Sequence, residues 1–97
     1  MLIAIDYDDC YTRDPALWNT FIDNAKAKGH TVVCCTARKE EHRSEVEIAL
    51  GDRVEIYCTA HKAKRYYMYK QGINVDVCIA SDDAIDDEPV FILNDGK

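Results

Sequence analysis

Residues 2–10 read LIAIDYDDC, a continuous apolar run that leads into three carboxylates. A short run of this kind is typical of a strand buried on both faces of a parallel sheet. The runs TVVCCT, VEIYC, VDVCIA and VFIL predict four further strands, at 31–36, 54–58, 75–80 and 90–93. The chain therefore offers five short strands, and the segments between them decide how those strands are connected.

Three helices are predicted between the first four strands, over 15–28, 40–50 and 62–71, and each is followed directly by a glycine. The first has Asp14 as its N-cap and Pro15 at its first position. Strands that alternate with helices of about three turns indicate parallel strands with crossover connections. The sequence therefore predicts an α/β fold, a three-layer sandwich with a mostly parallel five-stranded sheet. These elements use nearly the whole chain, so we expect a single domain over 1–97.

Composition narrows the class of protein. The chain has 97 residues, of which 47% are hydrophobic and 31% charged, as in globular domains. No apolar run approaches the ~20 residues of a membrane helix, and the N-terminus lacks the basic region of a signal peptide. The 5 cysteines include no Cys-x-x-Cys pair, and four of them lie in apolar runs. We therefore expect buried, reduced thiols in a cytoplasmic protein with no membrane association.

Polar side chains follow each of the first four predicted strands. In open parallel sheets, ligands bind at the carboxyl ends of the strands, where the strand order reverses. The groups in question are Asp6, Asp8 and Asp9, then Thr36 and Arg38, then Thr59, His61, Lys62 and Lys64, and finally Ser81, Asp82, Asp83, Asp86 and Asp87. Hydroxyl, cationic and carboxylate groups are therefore expected to meet at one edge of the sheet.

Four segments resemble the motifs of the haloacid dehalogenase-like (HAD) phosphohydrolases. IDYDDC at 5–10 resembles the Asp-x-Asp-x-Thr opening, and VVCCT at 32–36 resembles the second motif, an apolar strand that ends in Thr or Ser. His61-Lys62-Ala63 is similar to the third-motif lysine, and CIASDDAID at 78–86 is similar to the acidic fourth motif. The four segments occur in the family's order and cover essentially the whole chain. The resemblance implies a HAD-like, Rossmannoid fold and phosphoester hydrolysis.

The resemblance assigns catalytic roles to two aspartates, a threonine and a lysine. Asp6 would attack phosphorus and form an aspartyl phosphate, while Asp8 would act as acid and base. Residues two apart on an extended segment point the same way, so we expect both carboxylates to face one substrate. Thr36 would donate its hydroxyl to a phosphoryl oxygen, and Lys62 would offset negative charge. Lys64 competes for the role of Lys62, although the segment around Lys62 matches the family more closely.

Carboxylates beside a phosphate dianion require a cation between them, and Mg²⁺ suits oxygen ligands of this kind. The family pattern implies the Asp6 carboxylate, the Asp8 backbone carbonyl and Asp82 as ligands, with Asp83 or Asp86 as a direct or outer partner. Because Ala80-Ser81 replaces the usual residues before the fourth-motif aspartate, Asp82 and Asp83 both stay open as the main ligand. Cys10 stands where the family usually has Thr or Val, and we interpret it as local packing.

Substrate contacts are expected from Thr36, Ala37 and Arg38. The Arg38 guanidinium suits two-point contact with a second anionic group, and a solvated surface arginine is the alternative interpretation. The segments after the first and third strands leave no room for a cap domain, so the resemblance implies a minimal, capless member with an open site. Its selectivity would come from a large substrate, such as a nucleotide or a nucleic-acid end, or from a neighbouring subunit; the further alternative is a promiscuous enzyme. A homo-oligomer is expected because so small a domain buries only about two-thirds of its unfolded surface.

Residues 62–70, KAKRYYMYK, interleave basic and aromatic side chains, a pattern that can bind nucleic acid. The net charge of -6 disfavours that role and favours an amphipathic helix with solvated lysines.

The function predicted from these features is Mg²⁺-dependent phosphomonoester hydrolysis. The alternative is a non-catalytic binding or inhibitory protein that keeps the scaffold and an acidic metal site. A phospho-receiver domain would need an aspartate at the end of the third strand, where this chain has Tyr57-Cys58-Thr59. We therefore set that class aside.

Overall fold

The computed structural model describes residues 1–80, which form a parallel sheet of four strands together with three α-helices. In chain order the elements are β1 (Leu2–Ile5), α1 (Pro15–Ala27), β2 (Thr31–Thr36), α2 (Arg43–Leu50), β3 (Glu55–Cys58), α3 (Lys64–Lys70) and β4 (Val77–Ile79). The predicted α/β class and the parallel strand pairing are confirmed. The fifth predicted strand, 90–93, lies outside the described residues.

Helix α1 begins where the sequence predicts and ends one residue earlier, at Ala27. The Asp14 side chain accepts a hydrogen bond from the Leu17 N–H at 3.2 Å, and Pro15 occupies the first turn. Proline suits this position because its missing N–H would have no partner within the helix. Ile22 and Ala25 face the sheet and are buried, so the helix is held by both its cap and its apolar face.

Helices α2 and α3 begin later than the sequence predicts. Residues Glu40–His42 form a 3-10 turn, and α2 begins only at Arg43. Helix α3 begins at Lys64, two residues after the predicted start, because the loop over 59–63 turns before the helix can form. This shift decides which lysine occupies the first turn of α3.

The helices cover both faces of the sheet. On one face α1 and α2 pack against alternate strand residues, and on the other face α3 packs against the intervening ones. The first core cluster contains Ile3, Ile5, Val32, Cys34, Ile56 and Cys58 from the strands with Ile22, Ala25, Val46 and Leu50 from the helices. The second contains Ala4, Val33, Cys35 and Met68. Strands with apolar side chains on both faces explain the continuous apolar runs in the sequence.

The strand order is β3-β2-β1-β4. The chain moves outward from β1 through β2 to β3 and then returns to the opposite side of β1, so the order reverses between β1 and β4. Directly beyond β1, the Asp6 N–H donates to the Ile79 carbonyl of β4 at 2.9 Å. Asp6 therefore lies at the point where open α/β sheets bind their ligands.

All five cysteines lie within residues 1–80 and are thiols rather than disulfides, and four of them are buried. The prediction of buried cysteines is confirmed for these four, and Cys78 is half-buried. Across the same residues, no helix combines the length and the apolar character that a membrane span requires.

Candidate active site

Asp6 is a buried carboxylate next to a buried lysine. The Asp6 residue is 5% exposed and Lys64 is 2% exposed. The Lys64 Nζ lies 3.9 Å from Asp6 Oδ1, and the same oxygen accepts the Tyr7 N–H at 2.9 Å. Moving two charges out of water is costly, and their mutual attraction offsets that cost only when the partners are well placed. A carboxylate and an ammonium group are thus held together at the carboxyl end of β1.

The lysine beside Asp6 is Lys64, whereas Lys62 was the lysine assigned from the family motif. Lys62 is exposed, and among residues 1–80 it forms no ion pair with Asp6. The difference follows from the start of α3. Lys64 occupies the first turn of the helix, where its Nζ can reach Asp6, while Lys62 remains in the preceding loop.

The turn after β1 means that Asp6 and Asp8 do not lie on one extended segment, as was expected. Residues 7–10 form a turn, in which the Tyr7 carbonyl accepts the N–H groups of Cys10 at 3.4 Å and Thr12 at 3.1 Å. The Asp6 side chain is 6% exposed and that of Asp8 is 51% exposed. The expectation of strand alternation from Asp6 to Asp8 was therefore wrong, because the strand ends at Ile5.

Asp9 lies in the same turn and has a φ of 59°. Aspartate and asparagine adopt this left-handed conformation more readily than most residues. Asp9 is therefore a turn residue.

Arg38 joins the turn after β1 to helix α2. Its Nε and Nη2 donate to the two carboxylate oxygens of Asp8 at 3.1 and 2.9 Å, and its Nη1 donates to Glu45. The guanidinium also lies 5.3 Å from the centre of the Tyr7 ring. Hydrogen bonds to Asp8 and then to Glu45 raise the pKa of Arg38 further above its usual range. Arg38 therefore forms ion pairs with two exposed carboxylates, and its contact with substrate stays a prediction.

Two tyrosines stabilise the turn that carries Asp8. The rings of Tyr7 and Tyr11 stack with their centres 5.9 Å apart, and the Tyr11 hydroxyl donates to Asn19 Oδ1 of α1 at 2.8 Å. Burial raises the pKa of Tyr7, and the nearby Arg38 charge opposes that shift. Tyr7 thus remains a neutral ring that supports the Arg38 guanidinium.

Cys10 packs into the core cluster below this turn, with its Sγ 3.9 Å from the Ile79 carbonyl. Burial raises the pKa of the thiol, and the negative charge of Asp6 raises it further. The geometry agrees with the interpretation of Cys10 as a packing residue.

Thr36 ends β2 beside this group and is fully buried. Its Oγ1 accepts the Arg38 N–H at 3.3 Å. Since a hydroxyl has one proton and two lone pairs, accepting this bond leaves the proton available for donation. The Ala37 carbonyl accepts the His61 N–H at 2.9 Å, so the loop after β2 is hydrogen-bonded to the loop after β3.

Thr59 is a buried residue to which the sequence analysis gave no role. Its N–H donates to the Thr36 carbonyl at 2.8 Å, but within the described part of the chain its Oγ1 has no hydrogen-bond partner. Such a hydroxyl costs about 1–3 kcal/mol. The only signal in the sequence was the position of Thr59 at a strand end.

The predicted magnesium ligands are only partly described. Asp82, Asp83 and Asp86 lie outside the described residues, which leaves the Asp6 carboxylate and the Asp8 carbonyl. Within residues 1–80, no three side chains of the His, Cys, Asp and Glu types cluster as metal ligands. The two oxygen donors that are described have the hard character that Mg²⁺ prefers.

No family model matches the chain, and no curated protein or solved structure matches it.

Proposed function

We propose that this protein is a Mg²⁺-dependent phosphomonoester hydrolase with a HAD-like fold, in which Asp6 is the nucleophile. The observation that supports this proposal best is the pairing of buried Asp6 with buried Lys64 at the point where the strand order reverses. A structural ion pair has no need of that position, whereas a ligand-binding carboxylate does.

The proposed reaction has two displacements at phosphorus. The Asp6 carboxylate attacks phosphorus as the bond to the leaving alcohol breaks, and the alcohol oxygen takes a proton from Asp8. Asp8 then removes a proton from water as the water oxygen attacks phosphorus, which releases inorganic phosphate and restores Asp6. Lys64 offsets the negative charge that builds up around Asp6, and the Thr36 hydroxyl donates to a phosphoryl oxygen.

Bound Mg²⁺ would neutralise the phosphoryl oxygens and allow two carboxylates to approach them. The proposed ligands are the Asp6 carboxylate, the Asp8 carbonyl and Asp82, with Asp83 or Asp86 as a further partner.

The connections around the site are short, which supports a capless enzyme. Between β1 and α1 the chain forms only a turn and one 3-10 turn at Tyr11–Arg13, and between β3 and α3 it forms the loop over 59–63. A cap excludes water and selects small substrates. We therefore propose a larger phosphorylated substrate, such as a nucleotide or a nucleic-acid end, and the reduced cysteines support a cytoplasmic location.

The test compares Asp6→Asn with Asp9→Asn in hydrolysis of a generic aryl phosphate, with Mg²⁺ and with a chelator. Both substitutions remove one carboxylate from the same segment, but Asp9 is exposed and asparagine tolerates its left-handed backbone. We expect Asp6→Asn to lower kcat by about 10³-fold or more, and Asp9→Asn to change it by less than about twofold. Turnover that survives Asp6→Asn unchanged would contradict the assignment of the nucleophile.

The second candidate is a non-catalytic binding protein on the same scaffold. It is favoured by the two-point contact of Arg38 with Asp8, because that contact occupies the proposed acid and base with a cation. Absence of turnover by the wild-type protein on nucleotides, sugar phosphates and end-phosphorylated DNA would favour this candidate over the phosphatase.

A further inference from the structure

Arg38 contacts two carboxylates that belong to different elements. Asp8 lies on the turn after β1, and Glu45 lies in the first turn of α2. The Arg38 side chain is 28% exposed, while those of Asp8 and Glu45 are 51% and 64% exposed. The guanidinium therefore lies at the open side of the candidate site, where an incoming anion can reach it.

The two contacts differ in what they can do during a reaction. Asp8 is the proposed acid and base, so its carboxylate must be available to the substrate. Glu45 is on a helix whose apolar face is fixed in the core by Val46 and Leu50, and it has no part in the proposed chemistry. One contact of Arg38 can thus be exchanged while the other persists.

We propose that Glu45 is a positioning residue for substrate binding, an inference that rests on the proposed phosphatase function. Glu45 holds Arg38 at the site while the guanidinium exchanges its contact with Asp8 for anionic oxygens of the substrate. Carboxylate and phosphate oxygens present similar paired acceptors to a guanidinium, so the same donors serve both partners. The exchange also leaves the Asp8 carboxylate available for proton transfer.

Without Glu45, only the substrate would hold the long Arg38 side chain in place once that side chain has left Asp8. Ordering such a side chain weakens binding, and the effect falls on substrate affinity more than on the chemical step. The expected signature is therefore a higher KM with kcat nearly unchanged.

The test compares Glu45→Gln with Glu47→Gln in steady-state hydrolysis of an aryl phosphate with Mg²⁺. The control removes the same charge from the same helix, but Glu47 pairs with Arg43 at 3.9 Å and not with Arg38. We expect Glu45→Gln to raise KM by about 3- to 10-fold with kcat within about twofold of wild type. We expect Glu47→Gln to change both by less than about twofold.

A double-mutant cycle with Arg38→Gln tests whether Glu45 acts through Arg38. In the Arg38→Gln background, Glu45→Gln should leave KM unchanged, because the side chain that it positions is gone. A substitution that acts only through net charge would instead change KM equally in both backgrounds.

Three results overturn the inference: a KM that stays the same in Glu45→Gln, a KM that falls because a negative charge has been removed, and an equal effect in the Arg38→Gln background. The failure of the proposed function is a separate result. If wild-type protein has no turnover, or if Asp6→Asn keeps full activity, the phosphatase proposal fails and the role of Glu45 fails with it. If Asp6→Asn abolishes turnover as proposed and Glu45→Gln behaves like Glu47→Gln, only the role of Glu45 is rejected.

Discussion

At the scale of single residues, the pair formed by Asp6 and Lys64 has the largest consequence for stability. Both side chains are almost fully buried, at 6% and 3% exposure. Each charge lowers the cost of burying the other, so removal of one partner takes away that compensation in the interior. Lys62, two residues earlier in the chain, is exposed and has no comparable role.

We expect Lys64→Met to lower the free energy of unfolding by about 3–5 kcal/mol, the usual cost of breaking a buried ion pair. Lys62→Met removes an ammonium group from an exposed position and should lower the free energy of unfolding by less than about 0.5 kcal/mol. Urea unfolding monitored by circular dichroism measures both. The phosphatase proposal adds that turnover should fall in Lys64→Met and persist in Lys62→Met.

A double variant covers the case in which Lys64→Met does not fold. Adding Asp6→Asn removes the carboxylate that has lost its Lys64 partner, so the double variant should be more stable than Lys64→Met alone. A larger loss of stability in Lys62→Met than in Lys64→Met would contradict the structural assignment.

At the scale of elements, the loop between β3 and α3 has unusual backbone geometry. Ala60 and His61 are consecutive left-handed residues, with φ values of 53° and 69°. Their N–H groups donate to the carbonyls of Arg38 and Ala37 at 3.2 and 2.9 Å, which holds the loop against the one after β2. Left-handed backbone costs a non-glycine residue about 1–2 kcal/mol, so the loop is held under strain beside the candidate site.

We expect Ala60→Gly to raise the free energy of unfolding by up to about 1 kcal/mol, because glycine adopts the left-handed region without a steric penalty. Ala49→Gly is the matched control, since Ala49 is also exposed but lies in α2. Glycine in a helix should lower stability by about 1 kcal/mol. Thermal unfolding of the two variants should therefore shift in opposite directions. A loss of stability in both would argue against a left-handed Ala60.

This loop also limits what could be predicted from the sequence. Left-handed turns are usually marked by glycine or asparagine, and neither occurs between Thr59 and Lys64. The pattern therefore placed the start of the helix at Lys62, and the resemblance to the HAD family gave Lys62 the role of the catalytic cation. In the structure Lys62 and Ala63 still belong to the loop, so the helix begins two residues later. Lys64 is then the lysine that lies beside Asp6.

At the scale of the whole molecule, the elements with strong local signals were predicted well. The apolar runs gave β1 and β2, and the cap at Asp14 with Pro15 gave the start of α1, because these signals act within a few residues. The sequence predicted parallel strands and a ligand site where their order reverses, but not the order β3-β2-β1-β4 that places Asp6 there. The contact of Arg38 with Asp8 and Glu45 could not be predicted, since it joins three separate segments through side chains alone.

The core has an unusual content of thiols, and this makes the stability of the whole molecule sensitive to alkaline pH. Cys10, Cys34 and Cys58 all belong to the larger core cluster. Burial raises the pKa of each above its ordinary value, most strongly for Cys34. The pKa of a thiol in the unfolded chain is about 8.5. The stability from these raised pKa values is therefore fully present below about pH 8.5 and is lost as pH rises through the folded pKa values.

We expect the free energy of unfolding to fall above about pH 8.5, by about 1.4 kcal/mol per pH unit for each thiol that ionises only in the unfolded chain. Urea unfolding from pH 7 to pH 10, in a reducing buffer of constant ionic strength, measures this slope. Cys34→Ala removes one contributing thiol and should make the slope shallower. Ile3→Val, in the same cluster, lowers stability without an ionisable group and should keep the wild-type slope. Equal slopes in the two variants would mean that the Cys34 thiol ionises as readily in the folded protein as in the unfolded chain.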